Sequence, residues 1–107
     1  MSVSMERNSS KKNDDLDQIR RQILAGLADE DVSIALFGSQ ALGATHASSD
    51  VDIAIIPKGV WDQRKLTLLR EKLEESNIPY KVDIVDFSFV SHEFRRLALE
   101  SVIWWRP

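Results

Sequence analysis

The sequence predicts an α/β (α+β) domain in which a small mixed β-sheet of three or more strands packs with about four helices. Two short apolar runs, at residues 32–37 and 51–56, have the length and the β-branched content of buried strands, and residues 81–86 alternate between charged and apolar side chains as a third strand does. Apolar residues before and between these runs recur at helical spacing. Strands that alternate with helices are typical of a sheet covered by helical layers.

The composition narrows the class of protein. The 107 residues fit one domain, which we place at residues 15–107, after a polar, aperiodic tail at residues 1–14 that we expect to be disordered. The absence of cysteine excludes disulfides, thiolate metal sites and cysteine nucleophiles. The net charge of -3 argues against direct nucleic-acid binding. No apolar run approaches the roughly 20 residues that span a bilayer, and we expect a cytoplasmic protein without membrane contact.

The first half of the domain contains a helix, a strand and a short helix. The first helix starts near Leu16, because apolar residues follow it at helical spacing. A strand at Val32–Phe37 ends at Gly38, and residues 39–42 then suit a short helix. The small, polar residues 44–49 indicate a loop.

The second half repeats the alternation. Its predicted elements are a strand at 51–56 ended by Pro57, a helix at 61–76, a turn at 77–80 and a strand at 81–86. A last helix, capped by Ser88 or Ser91, is expected to bury three apolar residues, which are Phe94, Leu97 and Ala98. The apolar end at 102–105 suits either a short strand or a contact surface, since the consecutive Trp104 and Trp105 cannot both face one core.

Gly38-Ser39 is a candidate phosphate-binding turn. A strand that runs into Gly-Ser and a helical turn presents free backbone N–H groups, which favour a phosphate. Gly38 lets the phosphate approach the backbone closely, and the Ser39 hydroxyl adds a donor. A tight turn with a serine N-cap gives the same pattern, so the pair is weak evidence alone.

Three aspartates are candidate metal ligands. Asp50 and Asp52 are two residues apart in a strand, so their carboxylates lie on one face, and oxygen ligands suit Mg²⁺. Taken alone, the pair also fits a solvated strand entrance. Asp83, between β-branched residues, joins them if the third strand lies beside the second. Asp86 points to the opposite face, and we expect it to act in a turn or a cap.

Together these residues resemble the minimal nucleotidyltransferases of the DNA polymerase β superfamily. The resemblance rests on Gly38-Ser39, ten intervening residues, Asp50-x-Asp52 and the later VDIVDF, and it extends over roughly residues 16–105. It implies that Gly38 and Ser39 hold the phosphates of ATP or another nucleoside triphosphate. It also implies that Asp50 and Asp52 bind two Mg²⁺ ions, and that Asp83 binds the catalytic ion and helps activate the nucleophile.

The resemblance also implies a partner. Proteins of this kind transfer AMP to a tyrosine hydroxyl of a HEPN-domain toxin and act as its antitoxin. Because 107 residues leave no room for a separate acceptor-binding domain, we expect the acceptor to be another chain. Homo-oligomerisation stays open.

One departure supports an alternative function. Gln40 and Leu42 stand where this family commonly has arginines, and neither can make charge-assisted phosphate contacts. A non-catalytic module that neutralises a HEPN toxin by binding is therefore the main alternative, although the three retained acids argue against it. A third possible function is nucleotide binding without transfer. The chain has neither a Walker motif nor Gly-x-Gly-x-x-Gly, and this argues against the nucleotide-binding classes that those motifs define. His46 and His92 have no second histidine or cysteine at ligand spacing, so we expect surface positions.

Overall fold

The computed structural model describes the backbone of residues 3–38 and 50–107 and the side chains of residues 14–38 and 50–107. The elements in chain order are α1 (Val3–Gly26), β1 (Val32–Phe37), β2 (Asp50–Pro57), α2 (Arg64–Glu75), β3 (Lys81–Asp86), a 3-10 turn (Phe87–Phe89), α3 (His92–Leu99) and β4 (Ile103–Arg106). This confirms the predicted α/β class, with three α-helices among the described residues. The short helix predicted at 39–42 and the loop at 44–49 lie outside the described residues.

The four strands form one mixed sheet in the order β3-β2-β1-β4. Strand β1 is antiparallel to both β2 and β4, whereas β2 and β3 run parallel. The central strands β1 and β2 are covered on both faces, which explains why they are continuous apolar runs rather than alternating ones. The C-terminal apolar residues form β4, so the strand alternative for this segment is confirmed.

The two faces of the sheet carry different cores. Side chains alternate along a strand, so Ile53 and Ile55 of β2 face α1 and α2, while Ala54 faces the 3-10 turn and α3. The larger core, on the α1 and α2 side, includes Ile19, Ile23, Leu27, Leu66, Leu69 and Leu73. The smaller core contains the ring of Phe87 and has less apolar volume.

Helix α1 starts at Val3, far earlier than the predicted start near Leu16, and so includes most of the segment expected to be a disordered tail. Among the side chains of α1 that the structure describes, from residue 14 onward, the first fully buried one is Ile19. Propagating a helix costs less than starting one, which allows such a polar extension. None of the described helices, including α1 with its 24 residues, combines the length and the apolar character that a membrane span requires.

Helix α2 starts at Arg64, three residues later than predicted, because the residues before it have other partners. The indole N–H of Trp61 donates to the Asp86 carboxylate across 3.1 Å. The Asp62 carboxylate accepts from the backbone N–H of Arg64 at 3.1 Å, and this contact fixes the chain where the helix begins. Trp61 therefore packs against the larger core from a loop.

Helix α3 is capped by Ser91, whose hydroxyl accepts from the backbone N–H of Phe94 at 3.0 Å. The prediction that this helix buries its apolar residues is wrong for Phe94 and Leu97, which are 44% and 52% exposed. The smaller core accommodates mainly the partly buried Ala98 side of the helix. Phe94 still contacts the sheet through edge-on ring contacts with Phe37 and Phe87.

Strand β4 is connected to the end of α1. The Arg106 guanidinium donates to the carbonyl oxygens of Leu27 at 2.8 Å and Glu30 at 2.6 Å. Both oxygens also accept a backbone N–H, Leu27 from Glu30 and Glu30 from Val32, so the guanidinium is a second donor to the turns that follow the helix. Trp105 packs against the larger core, whereas Trp104 is 45% exposed.

Candidate active site

Two of the predicted acids occupy paired positions on neighbouring strands. Asp52 of β2 is the register partner of Asp83 of β3, and Asp50 pairs with Lys81 two residues earlier. Strands β2 and β3 are parallel, and paired residues of adjacent strands point to the same face. The third strand thus lies beside the second. This is the condition under which we expected Asp83 to join Asp50 and Asp52.

Asp86 is separate from this group, as the alternation along β3 predicts. It is 7% exposed and lies on the α2 side, where its carboxylate accepts from Trp61 and, at 3.5 Å, from the Gln63 amide. The same carboxylate accepts from the backbone N–H of Ser88 at 2.8 Å and so caps the 3-10 turn. The expected capping role of Asp86 is confirmed.

Gly38 follows β1 directly and lies against the carboxylate of Asp52. Its φ of +76° is in the left-handed region that L side chains rarely adopt. A Cβ atom at this position would collide with Oδ2 of Asp52. Both the backbone conformation and the space thus require glycine, and the close approach brings the turn after β1 to the acid pair.

The carboxyl group of Asp52 lies in an environment that shifts its pKa upward. Its pKa is raised, first because the carboxyl group is partly removed from water and second because Asp83 and Asp50 are close, while Lys81 acts in the opposite direction. Mutual repulsion of this kind is relieved when a cation lies between the carboxylates. The electrostatics therefore fit a site that binds positive charge.

The donor set fits Mg²⁺ rather than a softer metal. All three acids offer carboxylate oxygens, and Mg²⁺ takes one or two carboxylates together with substrate phosphates and water. Within residues 14–38 and 50–107, no three acidic or histidine side chains are close enough to hold an ion by themselves. The three aspartates as a set of metal ligands therefore stay a prediction.

Several predicted positions lie outside the described residues, namely Ser39, Gln40, Leu42 and His46. Of the candidate phosphate-binding pair, only Gly38 is among the described residues. His92 is exposed at the start of α3, which confirms the surface position expected for it.

Two grooves flank the acids. A groove of about 430 Å³ adjoins Gly38 and is bordered by Phe37, Phe94 and Leu97 among the described residues. A second groove, of about 440 Å³, lies at the outer edge of β3, where Asp83 lines it together with Arg70 and Phe89. Sequence reasoning did not single out Arg70 or Phe89. In the sequence, Arg70 differs from other surface residues only by its position beside the apolar face of α2. Many surface arginines have such a position, so it does not indicate a functional role.

The comparison with protein families agrees with this arrangement. The model of the family described as polymerase beta, nucleotidyltransferase matches residues 21–103. The chain belongs to this family. The match includes β1, β2, β3 and α3, and therefore every described residue of the candidate site.

Three similar proteins have more specific descriptions. A probable protein adenylyltransferase MntA of Haemophilus influenzae is 34% identical over 67 residues, which are 63% of this chain and 59% of that protein. The chain thus spans less than two thirds of the length of this curated relative. The crystal structure of a toxin–antitoxin with AMP-PNP has a TM-score of 0.61 at 28% identity, over 80% of this chain and 71% of that one. The structure of a tri-AMPylated Shewanella oneidensis HEPN toxin in complex with MNT antitoxin has a TM-score of 0.58 at 25% identity. The match covers 83% of this chain and 70% of that one.

Proposed function

We propose that this chain is a nucleotidyltransferase that transfers AMP from ATP to a hydroxyl group of a HEPN-domain toxin and thereby acts as its antitoxin. The observation that carries the proposal is the pairing of Asp52 with Asp83, directly beside Gly38, in a chain of the polymerase beta nucleotidyltransferase family. The similar proteins support the rest, since one is named as a protein adenylyltransferase and another is an antitoxin bound to an AMPylated HEPN toxin.

The proposed reaction is a displacement at the α-phosphorus. The oxygen of the acceptor hydroxyl forms a bond to that phosphorus, while the bond to the oxygen that bridges to the β-phosphorus breaks. Pyrophosphate leaves with the electron pair of the broken bond, and the hydroxyl proton passes to the carboxylate of Asp83. Bound Mg²⁺, held by Asp50, Asp52 and Asp83, would offset the charge on the triphosphate and on the leaving pyrophosphate.

The protein contributes mainly position and charge. Gly38 lets a phosphate approach the backbone after β1, and Ser39 would add a hydroxyl donor there. The acid pair is anchored in β2 and β3, whose neighbouring residues Val51, Ile53 and Ile84 are almost fully buried. Acids on such rigid strands keep their positions without a reorganisation cost during the reaction.

Transfer is tested with purified protein, Mg²⁺, a HEPN-domain protein encoded beside it, and ATP labelled at the α-phosphate. We expect the label to move to the HEPN protein. ATP labelled at the γ-phosphate should leave the HEPN protein unlabelled, because that phosphate departs with pyrophosphate. Asp52→Asn should abolish the transfer. The matched control is Asp31→Asn, an exposed aspartate at the other end of β1, which should transfer like the wild type. Label transfer by Asp52→Asn equal to that of the wild type would contradict the proposal.

A second function follows from Gln40 and Leu42. Without the usual arginines the triphosphate loses charge-assisted contacts, which favours a module that inhibits the toxin by binding alone. The same experiment separates the two functions. A stable complex that blocks the toxin without any transferred label would favour the binding module, and loss of inhibition in Asp52→Asn would favour the enzyme.

A further inference from the structure

The groove at the outer edge of β3 is the strongest feature that the proposed reaction leaves unassigned. Within residues 3–38 and 50–107, β3 is the last strand of the sheet, and one of its edges has no neighbouring strand there. The groove, of about 440 Å³, lies between this edge and α2. Gln63 and Arg70 of α2, Asp83 of β3, and Phe89 and Val90 after it contribute to the lining.

The order of the strands gives this groove a defined relation to the acids. Across the sheet, Gly38 follows β1, Asp52 lies on β2, Asp83 lies on β3, and the groove comes next. A nucleotide bound at the turn after β1 therefore has the acid pair between itself and the groove. A second substrate that reacts at the acids has access from the opposite side, along the edge of β3.

Arg70 supplies a positive charge in this groove. Its guanidinium donates to the carbonyl oxygen of Ile84 at 2.6 Å, on the edge of β3 that faces away from β2. This bond holds the side chain across the groove, and Arg70 is part of none of the ion pairs found among the described residues. An arginine fixed in this way can still bind a carboxylate or a carbonyl oxygen of a ligand, because its guanidinium has five donors.

Phe89 supplies an apolar contact on a rigid support. Its side chain is 72% exposed, although it belongs to a 3-10 turn whose other aromatic residue, Phe87, is 1% exposed. Phe87 stacks edge-on against Phe37, with ring centroids 5.3 Å apart, and Asp86 caps the turn. The turn is therefore anchored while Phe89 projects into solvent, and exposed aromatic residues of this kind are enriched at protein interfaces.

We propose that this groove binds the acceptor, as an extended segment of the acceptor protein that lies along β3 and brings its hydroxyl group to Asp83. Arg70 pairs with an acidic side chain or a backbone carbonyl of that segment, and Phe89 contacts one of its apolar side chains. An extended segment fits because the open edge of a strand recognises a polypeptide backbone. The inference rests on the proposed function, since only a transferase needs an acceptor at Asp83.

The test compares the two substrates of the reaction in the full chain. Arg70→Gln and Phe89→Ala are each expected to raise KM for the HEPN-domain acceptor by about tenfold, as for a central interface residue, and to leave KM for ATP unchanged. Lys72→Gln and Leu68→Ala are the matched controls, because both residues are exposed on α2 but do not line this groove. Arg70→Lys should recover part of the loss, since it restores the charge.

Each outcome has one meaning. An unchanged KM for the acceptor in both groove variants overturns the inference, and so does a raised KM for ATP, which would assign the groove to the nucleotide. If Arg70→Gln unfolds β3, Phe89→Ala decides alone, because its exposed side chain leaves the core intact. If Asp52→Asn loses transfer while the groove variants keep the KM of the wild type for the acceptor, only the groove assignment is wrong. A wild-type protein that transfers no label removes the proposed function and the groove together.

Discussion

Asp52 and Asp83 are paired residues on two neighbouring parallel strands, and their carboxyl groups share one face of the sheet. Burial and the charges of Asp83 and Asp50 raise the pKa of Asp52, so ionised Asp52 destabilises the folded chain when no cation is bound. Between the ordinary aspartate pKa and the raised one, the folded chain binds more protons than the unfolded chain. The free energy of unfolding therefore falls as the pH rises through this window, and the loss persists at neutral pH.

Asp52→Asn should consequently be more stable than the wild type at neutral pH, even though it is inactive. The difference should shrink as the pH falls below the ordinary aspartate value, where Asp52 is protonated in both states. Chemical denaturation in the presence of a chelator, at several pH values, measures this. Mg²⁺ with a nucleotide should stabilise the wild type and not the variant. A wild type that is the more stable protein at neutral pH in chelator would contradict the electrostatic argument.

Gly38→Ala should damage both stability and activity. The left-handed backbone costs an alanine about 1–2 kcal/mol, and its Cβ would also push the Asp52 carboxylate aside. Gly59→Ala is the matched control, because a Cβ at that position meets no atom within 4 Å. Denaturation and label transfer should both be unchanged in the control. If Gly38→Ala retained full transfer, the close contact with Asp52 would have no role in the site.

Ser91→Ala should destabilise the chain by about 1 kcal/mol, the usual cost of losing a serine N-cap. Helix α3 has only eight residues and, within the described structure, no fully buried side chain. The cap therefore contributes a large share of the free energy that stabilises this helix. Ser101→Ala, an exposed serine after the same helix, should have little effect. Urea denaturation of the two variants distinguishes them, and equal midpoints would argue against the cap.

Arg106→Ala should lower the free energy of unfolding by about 1–3 kcal/mol, since hydrogen bonds from a charged group to the carbonyls of Leu27 and Glu30 are lost. Arg95→Ala removes an exposed arginine from α3 and serves as the control. Hydrogen exchange should also become faster at the end of α1 in the first variant only. Unchanged exchange there would mean that Arg106 does not hold this helix end.

The local patterns of the sequence predicted much of the fold. The bounds of β1 and β3 agree with the prediction because a continuous apolar run in β1 and the alternation of charged and apolar residues in β3 are local signals. The start of α2 was missed because Trp61 bonds with Asp86, a partner 25 residues away, instead of joining the helix. The exposure of Phe94 was missed for a similar reason, since it depends on how little volume the smaller core offers.

The candidate site shows the same division. Asp50 and Asp52 could be identified from their spacing, and Asp83 from its cost inside an apolar strand. Whether the three aspartates lie close together depends on the pairing of β2 with β3. The sequence alone did not show that these two strands pair. The antiparallel pairing of β4 with β1, and the groove that brings Arg70 beside Asp83, depend on long-range packing for which no local pattern exists.

The alternation along β2 also limits how the length of the chain can change. One side of this strand supplies Ile53 and Ile55 to the larger core, and the other side carries Asp52. A single inserted or deleted residue would exchange the two sides, which would bury a carboxylate in the larger core and move the isoleucines to the side of the smaller core. The loop after β2 has no such constraint, because Val60 is fully exposed and Gly59 has open space around it. Insertions or a fused peptide should therefore be accepted around residues 59–60, and a single added residue within β2 should prevent folding.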